Sequence, residues 1–339
     1  MPTNVKSTFR HAIAFLCLLL TLLNLSSCVT NDDYPDNPQG NFEALWKILD
    51  YCFFEQKGIN WNEVHNRYAK QFDGGMTESQ QFEVLANLLS ELKDGHVNLF
   101  TSFNMARYWS WHENYPKNYS DSLERKYLKT DYLIASGMDY TILDDNIGYL
   151  RCESFQRGIG AGNLDDILLY FQPCKAIIID IRNNGGGALT NAEELAARFT
   201  NKEILVGYMQ HKTGKGHNDF SAMKEQTLKP GKGIRWQKPV VVLTNRSVFS
   251  AANEFVKYMR CCPNVQTVGD RTGGGSGLPF SSELPNGWSV RFSACPMYDK
   301  DKVLTEFGID PDYKINLTDA DFQQGKDTII EFARKLLNS

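Results

Sequence analysis

The chain has 339 residues, a formal net charge of −4, 42% hydrophobic residues and 12% aromatics. This composition excludes a disordered, collagen-like or coiled-coil protein. The slightly acidic balance lacks the basic footprint of a nucleic-acid binder, so no nucleic-acid partner is expected. The length suits one large domain or two smaller ones.

Residues 1–11 carry Lys6, Arg10 and His11 and no acid, and residues 12–25 (AIAFLCLLLTLLNL) form one apolar run. That run falls short of the about 20 residues needed to span a bilayer. A basic start, a short apolar stretch and small residues after it predict a secretory signal over residues 1–28. Its end, Leu25-Ser26-Ser27-Cys28, resembles a bacterial lipoprotein signal. The resemblance implies lipidation at Cys28 and a membrane anchor in the cell envelope, at the outer membrane, on its periplasmic or surface-exposed side. An ordinary secreted signal or a retained N-terminal anchor are the alternatives. Residues 29–40, polar and rich in Pro, Asp and Asn, read as a flexible tether.

Residues 41–100 read as an N-terminal helical domain. Phe42, Leu45, Trp46, Leu49 and Phe53 recur at helical spacing, as do Phe82, Leu85, Leu88, Leu89 and Leu92. The turn-rich FDGGMTES predicts a break between two helices. Residues 101–140, aromatic and poorly periodic, read as a connecting segment of loops and short strands. From 141 to 339 short apolar runs alternate with amphipathic helices. Ile147–Leu150, AIIIDI (176–181) and PVVVLTN (239–245) are predicted strands. Leu164, Ile167, Leu168 and Phe171 make a helical face; 191–199, 250–260 and 327–337 are predicted helices. Strands alternating with helices imply an α/β fold with substantial parallel pairing.

Of eight cysteines, Cys17 and Cys28 fall in the signal. The other six show no CxxC and no Cys/His cluster at zinc spacing, so no metal site is expected. Several sit in apolar helix or strand patterns, which favours buried free thiols.

Four segments could carry chemistry. In VVVLTNRSVFSAANEFVKYM a buried strand runs into a turn, and Ser250 stands at the head of the next helix. There the Ala251 N–H, free of any helical partner, can face an oxyanion. Taken alone, Ser250 or Ser247 equally suits an N-cap. AIIIDIRNNGGGA puts Gly185, Gly186 and Gly187 after a strand, where a backbone N–H can approach a ligand closely; a plain strand-to-helix turn is the other reading. No Gly-Lys-Ser/Thr follows, so it is not a phosphate loop. GDRTGGGSG (269–277) reads as a mobile surface loop. LKDGHVNLF contains His96, a candidate base for a serine. His65 sits in a predicted helix; His112, His211 and His217 lie in polar, loop-like stretches. TEFGIDPDYKI offers Glu306, a carboxylate able to support an imidazole or simply to cap a turn.

Together DGH at 94–96, IGYL at 147–150, DIRNNGGG at 180–187, FSAANEF at 249–255, VGDRTGGG at 268–275 and E-x-G-I-x-P-D from Glu306 resemble the tail-specific/tricorn-core family of serine peptidases. The resemblance spans roughly residues 41–320. It implies a crotonase/ClpP-like catalytic domain and a peptide or unfolded polypeptide as substrate, with no cofactor. One branch of the family uses a serine–lysine dyad, its lysine some 25 residues past the serine. No lysine stands there, and Lys257, two turns along the same helix, cannot easily reach Ser250. The resemblance therefore implies the histidine branch: Ser250 as nucleophile, His96 as general base, Glu306 as supporting carboxylate, and Gly186 or Gly187 with Ala251 as oxyanion donors. The implied activity is that of a serine endopeptidase. Two departures stand out: Gly95 replaces the family serine that links histidine to glutamate, and residues 101–140 are too few for a PDZ domain. The alternative is a non-catalytic peptide- or ligand-binding lipoprotein that kept the fold. Oligomeric state has no signature in the sequence.

Overall fold

The computed structural model describes residues 34–339; the signal, Cys28 and residues 29–33 of the expected tether lie outside the described residues. The helical region opens with α1 (Pro38–Ile48), α2 (Trp61–Tyr68) and α3 (Glu78–Ser90). Helix α1 therefore takes in the last residues assigned to the tether. Asn37 caps it, accepting from the Gly40 N–H, and Pro38 opens its first turn. Three helices stand where two are expected, because α2 is a single short face of Trp61, Val64 and Tyr68 between Asn60 and the FDGG turn. Thr77 and Gln80 form a capping box at the head of α3.

The connecting segment is more ordered than its sequence suggests. It holds β2 (Met105–Arg107), just after β1 (Asn98–Phe100), then α4 (Asp121–Leu128), β3 (Leu133–Ala135) and β4 (Met138–Ile142). The remainder alternates: β5 (Ile147–Arg151), α5 (Ala161–Tyr170), β6 (Ala176–Asp180), α6 (Leu189–Ala196), β7 (Ile204–Met209), β8 (Lys224–Leu228), β9 (Val240–Thr244), α7 (Ala251–Met259) and β10 (Val265–Gly269). It closes with β11 (Pro279–Glu283), β12 (Ser289–Ser293), β13 (Met297–Tyr298), β14 (Tyr313–Lys314), α8 (Asp319–Gln323) and α9 (Thr328–Asn338).

The main sheet runs β14-β10-β9-β6-β5-β4-β3. Its strands from β14 to β5 are parallel, and β4 and β3 add an antiparallel edge. Strands β6 and β9 are apolar throughout because both faces are covered. Ile177, Ile179, Val240 and Val242 enter one core with residues of α5, α6 and α7. Ile178, Val241 and Leu243, one step out of phase, pack with Ile329, Ile330 and Ala333 of α9.

A third core joins the helical region to a hairpin distant in sequence. The smaller sheet runs β11-β12-β1-β2, with Asn98 opposite Arg291 and Leu99 opposite Val290. Leu284, Trp288, Val290 and Phe292 share a core with Phe42, Leu45, Leu85 and Leu88. The N-terminal helical region is thus completed by the β11–β12 hairpin, which anchors the segment just before β1.

Candidate active site

Beyond β9 the chain is clamped from two sides. The Phe249 N–H donates to Asn184 O at 3.0 Å and the Ser250 N–H to Gly274 O at 2.8 Å. Asn245 Oδ1 accepts from the Asn183 N–H at 2.9 Å and from the Ser247 N–H at 3.2 Å. Ser250 is held at φ +60°, ψ −125°, a conformation that costs a residue with a Cβ and persists only where its surroundings impose it. It occupies the N-cap position of α7, yet its side chain makes no capping bond. The hydroxyl instead meets His96 Nε2 at 3.1 Å.

His96 is placed by β1, which starts two residues later, and by Asp94, whose Oδ1 accepts the His96 N–H at 2.7 Å. The imidazole is buried and lies 4.7 Å from the Phe249 ring. Burial pushes its pKa down to about 4; Asp94 opposes the shift, while Arg291 and Lys57 add to it. The ring is therefore neutral at pH 7 and able to accept a proton. Its Nδ1 meets no partner among the described residues.

Glu306 does not bond His96 in this structure. Its carboxyl is buried beside Asp94 and 3.7 Å from Lys57 Nζ, and Lys57 lies 2.6 Å from Asp94 Oδ2. Burial first, then the charge of Asp94, raise Glu306 to about 8, so it is largely protonated at neutral pH. Burial alone would raise Asp94 as well, but Lys57 and His96 hold it below its ordinary value. Asp94, not Glu306, carries the negative charge nearest the histidine. Gly95 explains the missing serine: a Cβ there would fall 2.6 Å from Trp111 Nε1 and 2.8 Å from Phe249 Cζ. The Trp111 ring stacks on Phe249 at 4.3 Å and fills that space.

Gly186 sits against the serine, where a Cβ would come within 2.8 Å of Ser250 Cβ. Its own N–H donates to Asn184 Oδ1 at 2.9 Å and is thereby occupied. The N–H groups of Gly187 and Ala251 meet no acceptor among the described residues.

The segment 269–277, expected to be a mobile surface loop, is a mostly buried brace. The Gly273 N–H donates to Val248 O at 2.7 Å and the Gly275 N–H to Glu306 O at 2.9 Å. Its glycines allow backbone to approach backbone on both sides, a role that composition alone does not separate from flexibility. Lys257 is engaged away from Ser250, 2.5 Å from Glu254 Oε2 and 2.9 Å from Gln226 Oε1. His65 pairs with Glu43, His217 with Asp50, and His211 lies 3.8 Å from Cys295 Sγ. Cys52, Cys152, Cys174, Cys262 and Cys295 are buried free thiols. Neither Lys57 nor Asp94 stands out as a site residue by local pattern: Lys57 lies in a short polar stretch with no periodicity, and Asp94 is legible only as part of DGH.

A serine at a helix head against a neutral imidazole, on a mixed α/β fold with a helical N-terminal region, is an arrangement able to carry out nucleophilic acyl transfer. The model of peptidase family S41 matches residues 146–315, and that of the tricorn protease C1 domain matches residues 34–90. The chain is a member of peptidase family S41. It is 26% identical over 195 residues to the carboxy-terminal processing protease CtpA of Bacillus subtilis (strain 168), covering 57% of this chain and 40% of that protein. A probable CtpA-like serine protease of Staphylococcus epidermidis is 26% identical over 192 residues, covering 56% of this chain and 37% of its own length. The chain thus spans about two fifths of these curated relatives. Among solved structures, an inferred peptidase from Parabacteroides merdae ATCC 43184 is 51% identical, with a TM-score of 0.86 over 90% of this chain and 98% of that one. Mature CPAF, at 11% identity and a TM-score of 0.68 over 89% of this chain and 96% of its own, shares the fold.

Proposed function

We propose that this protein is a serine endopeptidase that hydrolyses peptides or unfolded polypeptides through an acyl-enzyme on Ser250. The observation that carries the reading is the 3.1 Å contact between Ser250 Oγ and the neutral His96 Nε2. Ser250 attacks the scissile carbonyl carbon as His96 takes the hydroxyl proton. The N–H groups of Gly187 and Ala251 receive the oxyanion, with Gly186 keeping the approach open. His96 returns the proton to the leaving amine, and water then cleaves the ester with the same histidine as base. Asp94 stabilises the imidazolium through its charge, and Glu306 supports the histidine at one remove, through Asp94.

The relatives named as carboxy-terminal processing proteases support a polypeptide substrate. The signal and Cys28 support a lipid-anchored protein of the cell envelope. The test is hydrolysis of a quenched-fluorescence peptide library: wild type cleaves and Ser250→Ala does not, whereas turnover retained in that variant refutes the assignment. A ligand-binding protein that kept the fold is the competing reading, favoured by the unpartnered His96 Nδ1. It requires that wild type bind peptides without cleaving any.

A further inference from the structure

Lys57 ends a single helical turn, Glu55–Lys57, in the N-terminal region. Its side chain is only 2% exposed, and its ammonium lies 2.6 Å from Asp94 Oδ2 and 4.5 Å from the centre of the Phe53 ring. A buried lysine needs a counter-charge, and any carboxylate would meet that need. Asp94 is a particular choice, because its other oxygen holds the His96 backbone N–H at 2.7 Å. The residue between them, Gly95, has no side chain to hold the turn. The carboxylate is thus gripped at one oxygen by Lys57, and with the other it fixes the histidine.

We propose that Lys57 is a positioning residue for His96: through Asp94 it sets the turn 94–96, and with it the approach of Nε2 to Ser250 Oγ. The inference rests on the serine-peptidase reading and adds to it a residue from the helical region. The charge balance is consistent. Lys57 is held above its ordinary value by Asp94 and Glu306 despite its burial, and Glu306 keeps its proton, so Lys57 and Asp94 form the charged pair. The charged groups acting on His96 are Asp94 from its own turn, Arg291 from β12 and Lys57 from the helical region.

Two variants test this. Lys57→Gln removes the ammonium. Asp94→Asn breaks the grip while Glu306, free to give up its proton, keeps Lys57 paired, so that variant is expected to fold. One readout is the rate of fluorophosphonate labelling of Ser250. The other is the 15N resonances of the His96 ring in a Ser250→Ala background, which report its protonation and hydrogen bonding whether or not the protein turns over peptide. In both variants labelling should slow by on the order of 100-fold, the usual cost of misplacing a reacting group by about 1 Å. The peptide KM should change little, the His96 resonances should shift, and circular dichroism should match wild type. A folded variant that labels at the wild-type rate with unmoved His96 resonances overturns the proposal. Should Lys57→Gln fail to fold, Lys57→Arg, which keeps the positive charge but not the 2.6 Å grip on Asp94 Oδ2, decides by the same criteria. Should wild type take no label, the peptidase reading fails, and the His96 resonances alone decide whether Lys57 positions the ring.

Discussion

His96 Nε2 lies 3.1 Å from Ser250 Oγ although 154 positions of chain separate them. The contact is assembled by two sheets. Pairing of β1 with β12 fixes His96, and the turn from β9 into α7 fixes Ser250. The glycine-rich brace ties the two together. Gly274 O accepts the Ser250 N–H, and Gly277 O accepts the N–H groups of Ala294 and Cys295, just past β12, at 2.9 and 2.8 Å.

The strained backbone at Ser250 separates catalysis from stability. Ser250→Ala keeps the Cβ at φ +60° and should leave Tm nearly unchanged while abolishing hydrolysis. Ser250→Gly also abolishes hydrolysis but relieves the strain, so it should stabilise the fold by about 1 kcal/mol. Calorimetry should read this as a rise of about 1–2 °C. A Tm below wild type in the glycine variant would show that the conformation is not strained.

Acid should inactivate the proposed peptidase late. The base must be neutral, and folded His96 resists protonation down to about pH 4, so the acid limb of kcat/KM should lie near 4 rather than near the ordinary 6.5. Stability is linked to the same group. Between those two values the unfolded chain takes up a proton that the folded chain refuses, so stability falls as pH drops from about 6.5 to about 4. His96→Gln should remove that part of the fall in chemical denaturation.

Glu306 acts in the opposite direction. Its folded pKa of about 8 exceeds the ordinary 4.5, so the folded state holds an extra proton between these values. Its contribution is fully present below about pH 4.5 and is lost as pH rises through 8. Glu306→Gln mimics the protonated form. It should flatten the loss of stability over that window and cost little activity at pH 6. A large loss of activity at pH 6 would mean that Glu306 works as an ionised carboxylate.

Gly95→Ser, which restores the family residue, should destabilise rather than improve the site. The new Cβ meets Trp111 Nε1 at 2.6 Å, and forced overpacking costs about 1–3 kcal/mol. Adding Trp111→Ala should recover part of that loss, measured by urea denaturation. Equal stability of wild type and the single variant would show that Trp111 swings away freely.

The parallel core was legible because β6 and β9 are continuous apolar runs, a pattern that arises where both faces of a strand are covered. Ser250 and His96 were legible as residue types in motif context, but their contact was not, since no local pattern encodes the register of β1 against β12. The three-residue β1 is too short for alternation to show. Lys57 was invisible for a related reason: its importance comes from Asp94, 37 positions away, and not from any neighbour in sequence. The glycines of 269–277 misled because the same residue serves mobile loops and tight backbone packing alike.

The most direct test is covalent. Wild type and His96→Ala are incubated with a fluorophosphonate probe at pH 7, digested and mapped by mass spectrometry. The account predicts the adduct on Ser250 in wild type and none in the His96→Ala protein. An unmodified Ser250 in wild type, or equal labelling in both proteins, would contradict it.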